Sequence, residues 1–354
     1  MAFENLKRKL EKGEKITLGY FGGSITEGAG VADKSLCWRS LLTSWFRNKY
    51  PKVEFAEINA AIGGTGTELG MCRIKTDLLS KKPDVVFVEF AVNDSSCGRE
   101  KSERCMESIV RQILEADEKT DICFVITITS EMHNDMLEGK ELDSYIAHYA
   151  VADHYGIECI DAGIEISKRV DAKEGDWKSY TIDNVHPNEC GYKLYFEKIS
   201  SEVERLSKSG KKVHFAAPMH HDSFKYCGMV DTFELCGKFE KTRESLCTRY
   251  PRFARLSEKG DYIEYEGEFD LVGIYHKIAS NSGDISVEID GKDYGVFKLF
   301  DKYALEFDRA SHTVFDFKLE KGTHKVKITA TGTKDERSKG TEVCIGTFLV
   351  AQRY

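Results

Sequence analysis

The first apolar segment of the chain runs directly into "FGGSITEGAG", residues 21–30, where a serine follows two glycines and precedes a helix-like stretch. A strand–glycine–helix junction of this kind serves two chemistries. Its backbone N–H groups can cradle a phosphate, or it can present a nucleophilic serine at the end of a sheet. Spacing separates them. A P-loop needs Gly-Lys-Ser/Thr, but in "GAGVADKS" Asp33 stands where the second glycine belongs; the dinucleotide pattern fails at the same residue, and in "GTGTELG" the last glycine comes one residue late. A serine hydroxyl becomes a nucleophile when a histidine takes its proton and an acid holds that histidine's tautomer. Asp183 and His186, in "DNVHPN", supply both from one turn, and Pro187 suits the start of a following helix. The oxyanion formed on attack needs donors. Candidates are the N–H of Ser24 at a helix start, a glycine N–H from "AIGG" and the side-chain amide of Asn93.

These residues lie far apart in sequence, so a scaffold must collect them. Up to about residue 208, five apolar strand candidates ("KITLGYF", "VEFAEIN", "DVVFVEFA", "ICFVITIT", "IECIDAG") alternate with amphipathic helix candidates ("WRSLLTSWFRNKY", "MCRIKTDLLSK", "ERCMESIVRQILEAD", "LDSYIAHYAVADHYG"). A final helix, "NECGYKLYFEKISSEVERL", ends at "SKSGKK". This alternation predicts an α/β fold, a parallel sheet with helices on both faces. Ligands of such sheets bind outside the carboxyl ends of the strands. Those ends are Gly22-Gly23-Ser24, Asn59 to Gly66, Asn93-Asp94 and the loop "MHND", with "DNVHPN" before the last helix. After about residue 212 the pattern changes to short alternating segments, with Asp290-Gly291 and Lys321-Gly322 placed as hairpin turns. The expectation is a domain over 1–212 and an antiparallel β-sandwich or jelly roll over 213–354.

Composition excludes several classes. The formal charge of -8 over 354 residues argues against a nucleic-acid partner, which calls for a basic face. The charged start "MAFENLKRKLEKGEK" lacks the apolar core of a signal peptide, and no apolar run approaches the length of a membrane span. Eleven scattered cysteines, an odd number, read as reduced thiols in a cytoplasmic protein. No Cys-x-x-Cys or His-Glu-x-x-His occurs, and His220-His221 have no third ligand by spacing, so neither metal nor cofactor is expected.

Taken in order and at these distances, "GGSIT", "NAAIGGTG", "FAVND" and "DNVHP" resemble the four signature blocks of the SGNH hydrolases, or GDSL esterases. The resemblance covers about the first 200 residues. It implies a flavodoxin-like catalytic domain with Ser24 as nucleophile, Gly64 and Asn93 as oxyanion donors beside the Ser24 amide, His186 as base and Asp183 as its orienter. Two blocks depart from the namesake pattern, with Gly23 where it reads Asp and Val92 where many members have Gly. An α/β-hydrolase elbow is excluded because Thr26 stands where its second glycine belongs. A cysteine nucleophile is disfavoured because none falls at a strand end beside the histidine loop.

Each residue also has an ordinary structural use. Ser24 could cap a helix, Asn93-Asp94 could form a turn with Asp94 capping the next helix, and Gly63 and Gly64 could serve backbone conformation alone. Asp183 to His186 resists such a reading, since a histidine there gains no packing from its position. Substrate contacts are expected from Thr26, Thr65, His133 in the loop after the fourth strand, and Trp177 before the histidine turn; Trp38 reads as helix packing. No long apolar loop suggests an acyl tunnel, which favours a short acyl group such as acetyl. The second half is similar, in architecture only, to the sandwiches found beside acetylesterases acting on mannan or xylan. The expected protein is therefore a cytoplasmic O-acetylesterase of acetylated oligosaccharides, its β-domain binding sugar or roofing the site. A lysophospholipase or acyl-thioesterase, or an inactive sugar-binding protein, are the alternatives. A homodimer through an exposed β-edge is a further expectation.

Overall fold

The five apolar runs of the first half pair as parallel strands because each is bordered by a helix long enough to cross back over the sheet. Strands β1 (Ile16–Gly22), β2 (Phe55–Asn59), β3 (Val85–Glu89), β4 (Asp121–Ile126) and β5 (Glu158–Asp161) lie in the order β2-β1-β3-β4-β5. Every pair is parallel. β3 and β4 are buried at every position, which is why they read as unbroken apolar runs. The order reverses between β1 and β3. Loops leaving these two strands diverge there and open a crevice at their carboxyl ends.

The helices are α1 (Glu4–Lys12), α2 (Ser24–Glu27), α3 (Trp38–Lys49), α4 (Thr67–Asp77), α5 (Arg99–Ala116), α6 (Ser130–Leu137), α7 (Asp143–Tyr155), α8 (Ile164–Asp171), α9 (Trp177–Tyr180) and α10 (Glu189–Ser209). On one face of the sheet, Leu18, Tyr20, Phe87 and Val125 pack with Leu6 of α1, Trp38, Leu42 and Phe46 of α3, and Tyr195, Ile199 and Val203 of α10. On the other, Gly70 of α4 sits against Phe21, Phe90 and Ile109 of α5, and the His148 ring of α7 lies 6.3 Å from Phe124. The computed structural model describes residues 2–246, 249–315 and 317–354.

The chain divides into two compact units, 1–223 and 224–354, rather than at 212/213 as the composition suggested. The difference has a physical cause: residues 213–223 are strapped to α5 and α7. Tyr155 O accepts His214 N–H at 3.0 Å, Arg111 donates to Ala216 O at 2.9 Å, and Arg104 pairs with Asp222 at 3.0 Å. The buried Glu107 carboxylate accepts Met219 N–H at 2.6 Å and the Ser223 hydroxyl.

The second unit contains two antiparallel sheets. One has the order β13-β12-β15-β10-β7 and the other β14-β11-β16-β9-β8, with β6 also on β16. The ranges are β6 (Phe224–Asp231), β7 (Cys236–Lys238), β8 (Glu240–Arg243), β9 (Arg252–Leu256), β10 (Tyr262–Glu268), β11 (Leu271–Ile278), β12 (Asp284–Ile289), β13 (Lys292–Lys298), β14 (Arg309–Phe315), β15 (Thr323–Ala330) and β16 (Val343–Arg353). Ile263, Ile285, Val287, Val326 and Ile328 of the first sheet share one core with Val272, Ile274, Phe315, Ile345 and Phe348 of the second, a sandwich. Asp290 and Gly291 form the expected tight hairpin between β12 and β13, both at positive φ (53° and 79°). Lys321-Gly322 does not turn a hairpin. β14 pairs with β11 while β15 pairs with β10 and β12, so this connection crosses between sheets.

Candidate active site

Strand β1 delivers Ser24 as the first residue of the four-residue helix α2, immediately after Gly23. Its Oγ donates to His186 Nε2 at 2.7 Å, and His186 Nδ1 lies 2.6 Å from Asp183 Oδ2. The other Asp183 oxygen accepts the N–H groups of Val185 (3.0 Å) and His186 (2.8 Å), so one carboxylate shapes the turn and orients the ring. Burial pushes the Asp183 carboxyl up, but the His186 N–H, the His186 ring and the Val185 N–H outweigh it and hold the carboxyl below its usual range. The turn is closed by backbone bonds from Ile182 N–H to His186 O and from Asn188 N–H to Tyr180 O, each 2.9 Å.

Two devices bring the serine and histidine halves together. The Tyr192 hydroxyl of α10 lies 3.0 Å from the Ile25 carbonyl oxygen in α2 and 2.6 Å from that of Ala29 just beyond it, and its one proton serves this pair of carbonyls. Gly30, at φ 98°, lies so close to the Pro187 carbonyl that any Cβ would overlap it.

The oxyanion-donor candidates converge on Ser24. Ile62 N–H donates to Gly22 O at 3.1 Å, which runs the 60–64 loop alongside β1. Gly63 then sits over Ser24, where a Cβ would come 3.5 Å from the Ser24 Cβ. Glu27 Oε2 accepts the Gly63 N–H at 2.9 Å, leaving Gly64, at φ 71°, as the glycine with a backbone N–H to offer. Asn93 emerges from β3 with its Oδ1 against the Gly23 α-carbon, where a Cβ would collide with it. Among the described residues, neither the Gly64 N–H nor the Asn93 side chain has a protein hydrogen-bond partner. Gly23, a departure from the namesake motif, thus makes the room that Asn93 occupies.

Beneath this surface lies a buried polar frame. Glu89, at the end of β3, accepts the Thr26 hydroxyl at 2.8 Å and the Thr127 hydroxyl at 2.7 Å; burial pushes its carboxyl up against these donors. Asp94 does not cap the helix that follows it. Its Oδ1 accepts the Thr67 N–H at 2.9 Å at the start of α4, and its Oδ2 meets the Thr67 hydroxyl (2.8 Å), the Ser102 hydroxyl (3.1 Å) and His148 Nε2 (3.0 Å). The buried Arg73 donates to Gly22 O and Ala60 O and pairs with Asp77 at 2.9 Å, tying the end of β1 to the Gly64 loop.

Four expected substrate contacts are used differently. Thr26 and Thr65 are buried, and their hydroxyls are spent on Glu89 and on Ile62 O (2.8 Å). The segment expected as the loop "MHND" is part of α6, capped by the Thr129 hydroxyl on Met132 N–H at 3.1 Å. Helix formation turns His133 inward, where it is 5% exposed, 3.2 Å from Asp171 and 5.6 Å between ring centroids from Trp177. Trp177 is 8% exposed and belongs to the core under α10. Glu27, Glu89 and Arg73 were missed as contributors, and Asp94 was expected at its strand end only as a turn residue or helix cap. Only Glu89, a lone charge inside "VVFVEFA", carried a signal in the sequence.

A serine hydrogen-bonded through histidine to aspartate, with donors gathered above it at a switch point, is the equipment of ester hydrolysis. Residues 20–194 match the GDSL-like Lipase/Acylhydrolase family. Over its whole length the chain is also similar in fold to a two-domain esterase (CEX) active on acetylated mannans, in two crystal structures. In the one co-crystallized with mannopentaose, the TM-score is 0.85 at 21% identity, covering 100% of this chain and 96% of that one. The second gives the same score and identity over 99% and 96%. No curated protein matches the chain in sequence.

Proposed function

We propose that the protein is a serine esterase that removes acetyl groups from acetylated oligosaccharides such as mannan or xylan fragments. The observation that carries this reading is the continuous chain Ser24 Oγ, His186, Asp183, at 2.7 and 2.6 Å. Ser24 attacks the ester carbonyl as its proton passes to His186 Nε2, and Asp183 steadies the imidazolium through Nδ1. The oxyanion receives the N–H groups of Ser24 and Gly64 and the Asn93 amide. His186 then protonates the leaving sugar alkoxide, and water repeats the sequence on the acetyl-enzyme. The carbohydrate part of the reading is supported by the likeness in fold, over both units, to an esterase active on acetylated mannans.

The test is acetate release from acetylated manno- and xylo-oligosaccharides by wild type and Ser24→Ala, with p-nitrophenyl acetate in parallel. The expected result is release from the oligosaccharides, lowered on the order of 10⁴-fold or more by the substitution. Activity rising with acyl length beyond butyrate would instead favour a lysophospholipase or thioesterase.

A further inference from the structure

A cavity of about 730 Å³ is lined by residues that flank two members of the site, Asn93 and His186, in sequence. Val92, Ser95 and Ser96 bracket Asn93, and Asp183, Asn184 and Val185 lead into His186. The far wall is α6 and the start of α7. It brings Glu131, Asp135, Glu141 and Asp143 to the lining, and among the described residues no lysine, arginine or aromatic residue lines it. Two of the five carboxylates are already engaged, Asp183 with His186 at 2.6 Å and Asp135 with Lys140 at 2.7 Å. Glu131, Glu141 and Asp143 have no ion-pair partner among the described residues, and Arg99, which feels Glu141 and Asp143 from outside the lining, is held by Glu103 at 2.9 Å.

A second observation points to an occupant. Ser144, also in the lining, is 1% exposed, and its hydroxyl has no hydrogen-bond partner among the described residues. A buried hydroxyl left without a partner is unfavourable, and a ligand group that pairs with it removes that cost. The cavity is far larger and more polar than an acetyl methyl requires, so its place is on the alcohol side of the ester. Free carboxylates accept hydrogen bonds from hydroxyl groups, and Ser95, Ser96 and Ser144 both donate and accept, which together match a polyol. The same carboxylates repel an anion, and the absence of aromatic lining leaves nothing to cage a quaternary ammonium.

We propose that this cavity is the leaving-group subsite, that it takes a neutral sugar unit, and that Glu141 and Asp143 make it reject acidic ones. The assignment rests on the acetylesterase reading above. The experiment compares kcat/KM of the full chain on acetylated xylo-oligosaccharides with and without a glucuronate branch, for wild type, the E141Q/D143N double variant and S144A. Thermal melting checks that each is folded. Wild type is expected to favour the neutral substrate by about tenfold or more. The double variant should bring that ratio toward one, and S144A should raise KM for both substrates with little change in kcat. The ratio cancels any loss common to both substrates. Equal rates by wild type on the two substrates, or a ratio unmoved in a folded double variant, would overturn the subsite while leaving the esterase reading intact. Turnover of p-nitrophenyl acetate with no acetate from any oligosaccharide would remove the carbohydrate reading and the subsite with it.

Discussion

At Asn93 the side-chain oxygen faces Gly23, which, in the mechanism proposed above, leaves the NH₂ group for a charge that exists only once Ser24 has attacked. Removing a donor of this kind acts on the transition state rather than on substrate binding. Asn93→Ala is therefore expected to lower kcat on p-nitrophenyl acetate by about 10²–10³-fold with KM little changed. Gly23→Ala should give a loss of the same kind, because the new methyl occupies the space of Asn93 Oδ1. Glu27 acts one step further back, holding Gly63 so that Gly64 can present its N–H. Glu27→Gln keeps an acceptor for that bond and should retain most activity. Glu27→Ala should lose about ten- to a hundredfold in kcat, the scale of one hydrogen bond to a charged group; equal losses in both variants would show that charge, not position, matters at this residue.

Helices α4 and α1 are capped by carboxylates that lie far off in sequence. Gly66 and Phe3, their own N-cap residues, supply no side-chain bond. Asp94 serves α4 across 27 residues. Asp121 of β4 serves α1, accepting Leu6 N–H at 2.7 Å and Asn5 N–H at 3.3 Å. The two aspartates carry different predictions. Asp94→Ala leaves the Thr67 N–H and His148 without their buried acceptor and should destabilise the fold by about 3 kcal/mol or more, read from the urea midpoint. Burial pushes the Asp121 carboxyl up to about 7 despite the Leu6 and Asn5 N–H groups. A folded-state pKa above the unfolded value means that the stability Asp121 contributes is complete below pH 4 and is lost as the pH rises toward 7. Asp121→Asn, which imitates the protonated acid, should gain stability relative to wild type across that window. A difference between the two proteins that stays constant from pH 4 to 7 would contradict this.

The boundary between the two units is a statement about which truncated chain can stand alone. Residues 213–223 satisfy Glu107 and Arg111 on α5. A chain ending at residue 223 is expected to fold and to keep p-nitrophenyl acetate hydrolysis. One ending at 212 leaves the Glu107 carboxylate buried without the Met219 and Ser223 donors and should lose about 2–5 kcal/mol. Circular dichroism melting of both truncations checks this, and equal melting temperatures would move the boundary back to 212.

The sequence alone determined the parallel sheet, because apolar runs bordered by amphipathic helices have one economical way to bury both faces. It also pointed to Ser24 and Asn93 beyond strand ends, and to Asp183 and His186 in the turn before the last helix, as a candidate site, since a histidine in that turn gains no packing from its position. Strand β11, "LVGIYHKI", is buried nearly throughout and so carries no alternating signal. Only the tertiary structure decided that His133 and Trp177 face inward, because the helix at 130–137 depends on the Thr129 cap and on packing under α10. It alone revealed Glu27 on Gly63, Asp94 on α4 and the polar cavity beside Asp183, all of which join segments that share no local pattern. Local propensity is written in neighbouring residues, whereas the partners that satisfy a buried charge or a loose loop are set by where the folded chain brings them.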